Sequence, residues 1–177
     1  PMVGDLTLWQ AVPGLLDALP EALRAKVAHL RAAPAETLLA AMRDAAAHWR
    51  WDAQGIRFAL APTIPTHATE ALLCGCRDLA RERGLRIHMH VGESRVQALA
   101  ARARWGSGPA AALDRLGLLG PRFTLAHGVW LADDELRLLA DRGAGLAHNP
   151  GSNMKLGNGL ARLQRALDLG VGVGIGT

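Results

Sequence analysis

Two hydrophobic periodicities alternate along the chain. Apolar residues recur at spacings of three and four in the stretches 35–49, 69–83, 94–104, 109–116, 132–141 and 160–169, as in Leu72, Leu73, Cys76, Leu79 and Ala80. That spacing predicts helices burying one face each. Between them lie short runs that read as strands, at 56–61, 86–91, 123–127, 144–148 and 171–176. Gly84, Gly143 and Gly170 follow predicted helix ends, and Asp133 is placed to cap a helix with acidic residues in its first turn. No hairpin turn joins consecutive strands. A helix separates each pair, so the strands are expected to run parallel. The stretch 1–55 reads as helices and loops punctuated by Pro13, Pro20 and Pro34.

Polar groups collect where the predicted strands end. Thr63 follows the first, His90 and Glu93 close the second, His127 closes the third, His148 and Asn149 the fourth, and Gly176 and Thr177 the fifth. A (β/α)8 barrel builds its active site at the C-terminal ends of its strands. A doubly wound sheet also binds ligands there, but at one switch point, with a glycine-rich phosphate loop after its first strand. No G-x-G-x-x-G stands in that context and no P-loop lysine pattern occurs. The expected fold is therefore α/β: an incomplete (β/α)8 TIM barrel of about five parallel strands alternating with helices, with 1–177 as one partial barrel. A barrel needs about eight strands and about 250 residues. The shortfall, and Pro1 as first residue, place the missing strands on the N-terminal side.

Composition narrows the function classes. The 177 residues suit one domain, and half are apolar, enough for a core. The formal net charge of +4 comes from basic residues spread among acidic ones, with 4% aromatics and no Tyr. A nucleic-acid surface would cluster its charge and supply rings for stacking, so no nucleic-acid partner is expected. No apolar run reaches membrane-span length and the first residues carry no secretory pattern, so no membrane partner is expected either. Cys74 and Cys76, two apart in a helical pattern, point to different faces and do not pair. A cytoplasmic setting follows.

The run His88-Met89-His90-Val91-Gly92-Glu93 carries the densest chemistry. Strand residues two apart share a face, so His88 and His90 both point into the barrel, His90 nearer the mouth. Neutral imidazole ligates zinc or iron, and a carboxylate three residues on can move a proton of activated water. Two satisfied core histidines and a helix-capping Glu fit the same residues, and the pattern alone leaves both open. His127, beside Gly128, is placed to orient a nucleophile or to cap a strand. The polar run 148–159 reads as a loop that binds something or merely turns. His67 is placed to line a pocket, while His29 and His48 fall in helical segments far from any strand end. No nucleophile elbow or Ser/His/Asp set is present.

Taken together, residues 56–177 resemble the amidohydrolase superfamily, and within it the branch of S-adenosylhomocysteine and methylthioadenosine deaminases, cytosine and guanine deaminases and triazine hydrolases. The marks are the H-x-x-E of His90 to Glu93, the strand-end Ala126-His127, the H-N-P-x-S-N-x-K-L-G-x-G run from His148 to Gly159, and Gly174-Ile175-Gly176-Thr177. The resemblance implies a metal-dependent hydrolase of C–N bonds other than peptide bonds, deaminating an amino-substituted heterocycle (nucleobase, nucleoside, pterin or triazine-like). It implies strands 4 to 8 of the family barrel, with His90 a metal ligand for zinc, or iron, and Glu93 the general acid and base. His127 would hydrogen-bond the attacking hydroxide or the tetrahedral centre. The loop after His148 would close over substrate, with Thr63, His67, His148, Asn149, Ser152 and Lys155 on the substrate side. Two departures stand out. The family's metal site also uses an H-x-H from strand one and an Asp that would follow Thr177. Adenosine-type deaminases of this branch often carry a His where Thr63 stands. The alternative is a catalytically incomplete fragment or pseudoenzyme acting only through assembly with another chain. Homodimers are the commonest soluble oligomers and an expected form here.

Overall fold

A computed structural model describes residues 2–177. Among them, β1 (Met2–Val3), β2 (Ala59–Pro62), β3 (Arg86–Val91), β4 (Phe123–His127), β5 (Gly145–His148) and β6 (Gly172–Ile175) form one sheet in chain order, every neighbouring pair parallel. The order never reverses, so the sheet has no switch point of the doubly wound kind. The central register pairs Met89 with Leu125 and His90 with Ala126, then Leu125 with Leu146 and Ala126 with Ala147.

The helices are α1 (Leu8–Ala11), α2 (Glu21–Val27), α3 (Ala35–Ala47), α4 (Glu70–Arg83), α5 (Arg95–Trp105), α6 (Pro109–Arg115), α7 (Asp133–Arg142), α8 (Pro150–Lys155) and α9 (Leu163–Asp168). Helix α4 shows why the periodicity is legible. Leu72, Leu73, Cys76, Leu79 and Ala80 form its buried stripe. Thr69 Oγ1 accepts from Leu72 N at 3.2 Å, while the Asp5 carboxylate accepts from Thr69 N and Oγ1. Gly84, at φ 66°, closes the other end in the left-handed region. The stripe packs with Leu113 of α6 and Leu136 and Leu139 of α7 against Ile87, Met89 and Val91 of β3 and Phe123 and Leu125 of β4. The other face of β3 carries Arg86, His88 and His90, and the first two are exposed.

Besides a strand β2 that starts at Ala59 where the sequence reading begins at 56, four features differ. The strand β1 lies in a stretch read as helices and loops, because two residues carry no alternation to detect. The run 148–159 is not all loop, since α8 starts at Pro150, whose missing N–H is harmless at a first helical position. Helix α9 is shorter than 160–169. Asp133 does not cap α7. Its carboxylate instead pairs with Arg162 and Arg165, at 2.6 and 2.7 Å, while the buried Glu135 carboxylate accepts from Ala132 N at 3.1 Å and Ala110 N at 2.8 Å. The two cysteines are free thiols, Cys76 buried and Cys74 half-buried. Among the described residues, no helix is long and apolar enough to cross a membrane.

Candidate active site

Strands β3 and β4 bring three reactive side chains together. His90 is fixed by one oxygen. The Thr63 carbonyl, just past β2, accepts from the His90 backbone N–H and from ring Nδ1, both at 3.0 Å. A carbonyl only accepts, so Nδ1 carries a proton, and in the neutral ring Nε2 keeps its lone pair. That is the tautomer a metal ligand needs, with the inner nitrogen tied to a backbone carbonyl.

Gly92 then turns the chain sharply at φ 62°. A Cβ there would meet Leu131 Cδ2 at 3.0 Å, so the turn needs glycine for both conformation and space. The turn is locked to the end of β4 by Trp130 N donating to Gly92 O at 2.8 Å and Gly128 N donating to Val91 O at 3.1 Å. Glu93 follows, its side chain 17% exposed. Gln97 grips it at both ends: its Oε1 accepts from Glu93 N at 3.1 Å, and its Nε2 donates to Glu93 Oε2 at 3.3 Å. Asn158 Nδ2 donates to Glu93 Oε1 at 3.2 Å. Two neutral amide groups thereby orient the carboxylate.

Strand alternation alone would aim His127 toward the helical layer, alongside Phe123 and Leu125. His127 instead takes φ 78° and stands as the sole non-glycine with positive φ among the described residues. His tolerates this region better than most residues, at a cost of about 1–3 kcal/mol. The turned imidazole sits 5.4 Å, centroid to centroid, from the His90 ring and 3.8 Å, through Nε2, from Glu93 Oε1. Its Nδ1 lies 2.7 Å from Asn153 Oδ1.

The other predicted residues lie around this centre in different ways. Thr63 contributes its carbonyl. His67 is half-buried, and that burial holds its imidazole below the ordinary value. It lines a cavity of about 170 Å³ with Leu8, Val12, Ile64, Val96 and Gln97, one side chain away from Glu93. His148 is buried at the end of β5, with Nδ1 lacking a protein partner. Asn149 precedes α8, its side-chain oxygen set where a Cβ on Gly176 would be. Ser152 is half-buried and Lys155 is exposed, and neither side chain joins the hydrogen bonds of Glu93 or His127. The sequence reading missed Gln97, Asn153 and Asn158. The Ser94-x-x-Gln97 capping pattern marks the first. Nothing local distinguishes the two asparagines from turn residues. Among the described residues, no group of three or more His, Cys, Asp or Glu side chains could hold a metal ion, so His90 fits as one ligand only.

Comparison with known proteins settles the family. Residues 3–177 match the model of the amidohydrolase family. The chain belongs to that family. The 5-methylthioadenosine/S-adenosylhomocysteine deaminase of Thermococcus onnurineus is 41% identical over 126 residues, covering 71% of this chain and 30% of that relative. Among solved structures, a zinc-bound adenosine deaminase from Xanthomonas campestris superposes with a TM-score of 0.77 at 31% identity, covering 83% of this chain and 33% of that one. Guanine deaminase from Bradyrhizobium japonicum gives 0.77 at 26% identity, covering 83% and 33%. The chain thus spans about 30% of the length of the curated relatives it matches. In this amidohydrolase chain the six parallel strands are part of a (β/α)8 barrel, and His90, Glu93 and His127 stand at its C-terminal rim.

Proposed function

We propose that this protein is an aminohydrolase that removes ammonia from an amino-substituted heterocycle of the nucleobase, nucleoside, pterin or triazine class. The observation that carries the reading is the convergence of Glu93, His127 and the Nε2 end of His90 at one strand rim, in a family whose relatives include deaminases of adenosine analogues and of guanine. Zinc, or iron, which suits the same ligands, would be held by His90 together with groups beyond the described residues. Such a metal supplies the Lewis acidity that makes water a nucleophile near neutral pH.

The chain's own residues do the rest. Glu93, aimed by Gln97 and Asn158, takes a proton from the attacking water and delivers one to the departing nitrogen. His127 Nε2 accepts a hydrogen bond from the attacking water and so orients it. His67 and its cavity hold part of the substrate near Gln97 and Glu93, with Thr63, His148, Asn149, Ser152 and Lys155 bordering the same rim. The setting proposed is the cytoplasm, in keeping with two free thiols.

The test is ammonia release from a panel of aminated purines, nucleosides, pterins and triazines, with Glu93→Gln alongside. Release by the parent and a loss of roughly 10²- to 10⁴-fold in the variant are expected. Undiminished turnover in Glu93→Gln overturns the role. A second reading is favoured by one observation, the solitary His90: these residues act only when assembled with others that complete the site. Intact mass of the purified protein separates the two. A mass well above the 18.8 kDa of this chain supports one continuous enzyme, and a match to it supports assembly.

A further inference from the structure

The polar run after β5 holds the reactive side chains from behind. Asn153 is fully buried on α8, its Oδ1 2.7 Å from Nδ1 of His127, which is itself 4% exposed. We propose that Asn153 is a positioning residue that accepts the Nδ1 proton of His127, fixes one tautomer, and leaves Nε2 as the lone-pair end facing Glu93. The inference rests on the reading of His127 and Glu93 as the reacting pair.

Three observations support it. The 3.8 Å from His127 Nε2 to Glu93 Oε1 is too long for a hydrogen bond, so Glu93 does not hold a proton on Nε2. A buried imidazole N–H is costly without an acceptor, and Asn153 Oδ1 stands at hydrogen-bond distance from Nδ1 while the Nδ2 of the same amide has no partner; the opposite amide orientation would move the ring proton to Nε2, the result that overturns the proposal below. Asn153 is also fixed through its own backbone: its N–H donates to Asn149 O at 3.0 Å, and its carbonyl accepts from Asn158 N at 2.9 Å. One residue therefore orients His127 directly and anchors the turn that carries Asn158 to Glu93. Residues 149–158 act as a clamp on two reactive groups.

The test is a long-range proton–nitrogen correlation spectrum of the histidine-labelled protein, with His127 assigned by loss of its signals in His127→Gln. Neutral His127 in the Nδ1–H form is expected, and the Nε2–H form overturns the proposal. Asn153→Leu should abolish the single tautomer and lower kcat by roughly 10- to 100-fold, with KM within about 2-fold. Asn153→Asp, which keeps an acceptor oxygen, should restore the Nδ1–H signal. An unchanged tautomer and kcat in Asn153→Leu also overturn it. Should the leucine variant not fold, the spectrum of the parent still decides. The Nδ1–H form in a protein that deaminates no heterocycle upholds the tautomer lock and rejects the proposed activity instead.

Discussion

The two faces of strand β3 divide the labour of the molecule. Ile87, Met89 and Val91 look outward and are 4%, 2% and 0% exposed beneath α4 and its neighbours. Arg86, His88 and His90 look the other way, the first two exposed and His90 half-buried. The outward face is apolar and closely packed, so its side chains contribute mainly stability. The inward face carries almost nothing that burial would reward, and its side chains are explained by what they can bind or move. The same six residues thus hold the fold and the chemistry, separated by the two-residue period of a strand.

Substitutions on either side should break different properties. The largest effect belongs to the rim: Glu93→Gln should cost roughly 10²- to 10⁴-fold in turnover while leaving the thermal midpoint nearly unchanged. On the outward side, Leu125→Ala should cost about 2–5 kcal/mol of stability, read from denaturant unfolding, with kcat of the surviving folded protein retained. A smaller loss is expected where the layer between helices holds a charge. Glu135→Leu strips the acceptor from Ala110 N and Ala132 N, leaves both donors unmatched, and should cost about 1–3 kcal/mol. The smallest effect tests the rim through pH. Burial lowers the His67 imidazole, and His88 shifts the same way through partial burial and then Arg86. The unfolded chain therefore takes up the proton first, and stability should fall as pH drops through the ordinary value of 6.5. It should level off once the folded histidines also titrate. Urea midpoints at about pH 7.5 and about pH 5.5 measure this, and His67→Gln should shrink the difference.

Much of this division is visible in the sequence, because periodicity is a local property. The runs 86–91 and 123–127 match β3 and β4 residue for residue, and Gly84 and Gly143 stop α4 and α7 in left-handed caps. Strand β1 escapes detection because two residues have no period, and its partner β2 lies over fifty positions later. Helix α8 hides in a run of Pro, Gly, Ser and Asn, where intrinsic propensity favours turns and tertiary packing decides otherwise. At the site, His90, Glu93 and His127 are legible as reactive types at strand ends. Asn153 and Asn158 are not, since their importance lies in which distant side chain each one meets. Glu135 resembles any first-turn acid that favours a helix dipole, and only its burial reveals the second amide it serves.

The left-handed backbone at His127 reaches beyond catalysis, into which amino acids the position can accept. Two separate filters act there. One asks for a ring nitrogen, and the other for a residue at ease with positive φ, which glycine and asparagine pass and branched residues do not. In a library covering every amino acid at this position, abundance and activity should therefore rank the substitutions differently. Glycine and asparagine would head the list for folded protein and fall with the rest for turnover, and valine and isoleucine would come last on both. Such a crossed ranking is the imprint of a backbone shaped for one side chain.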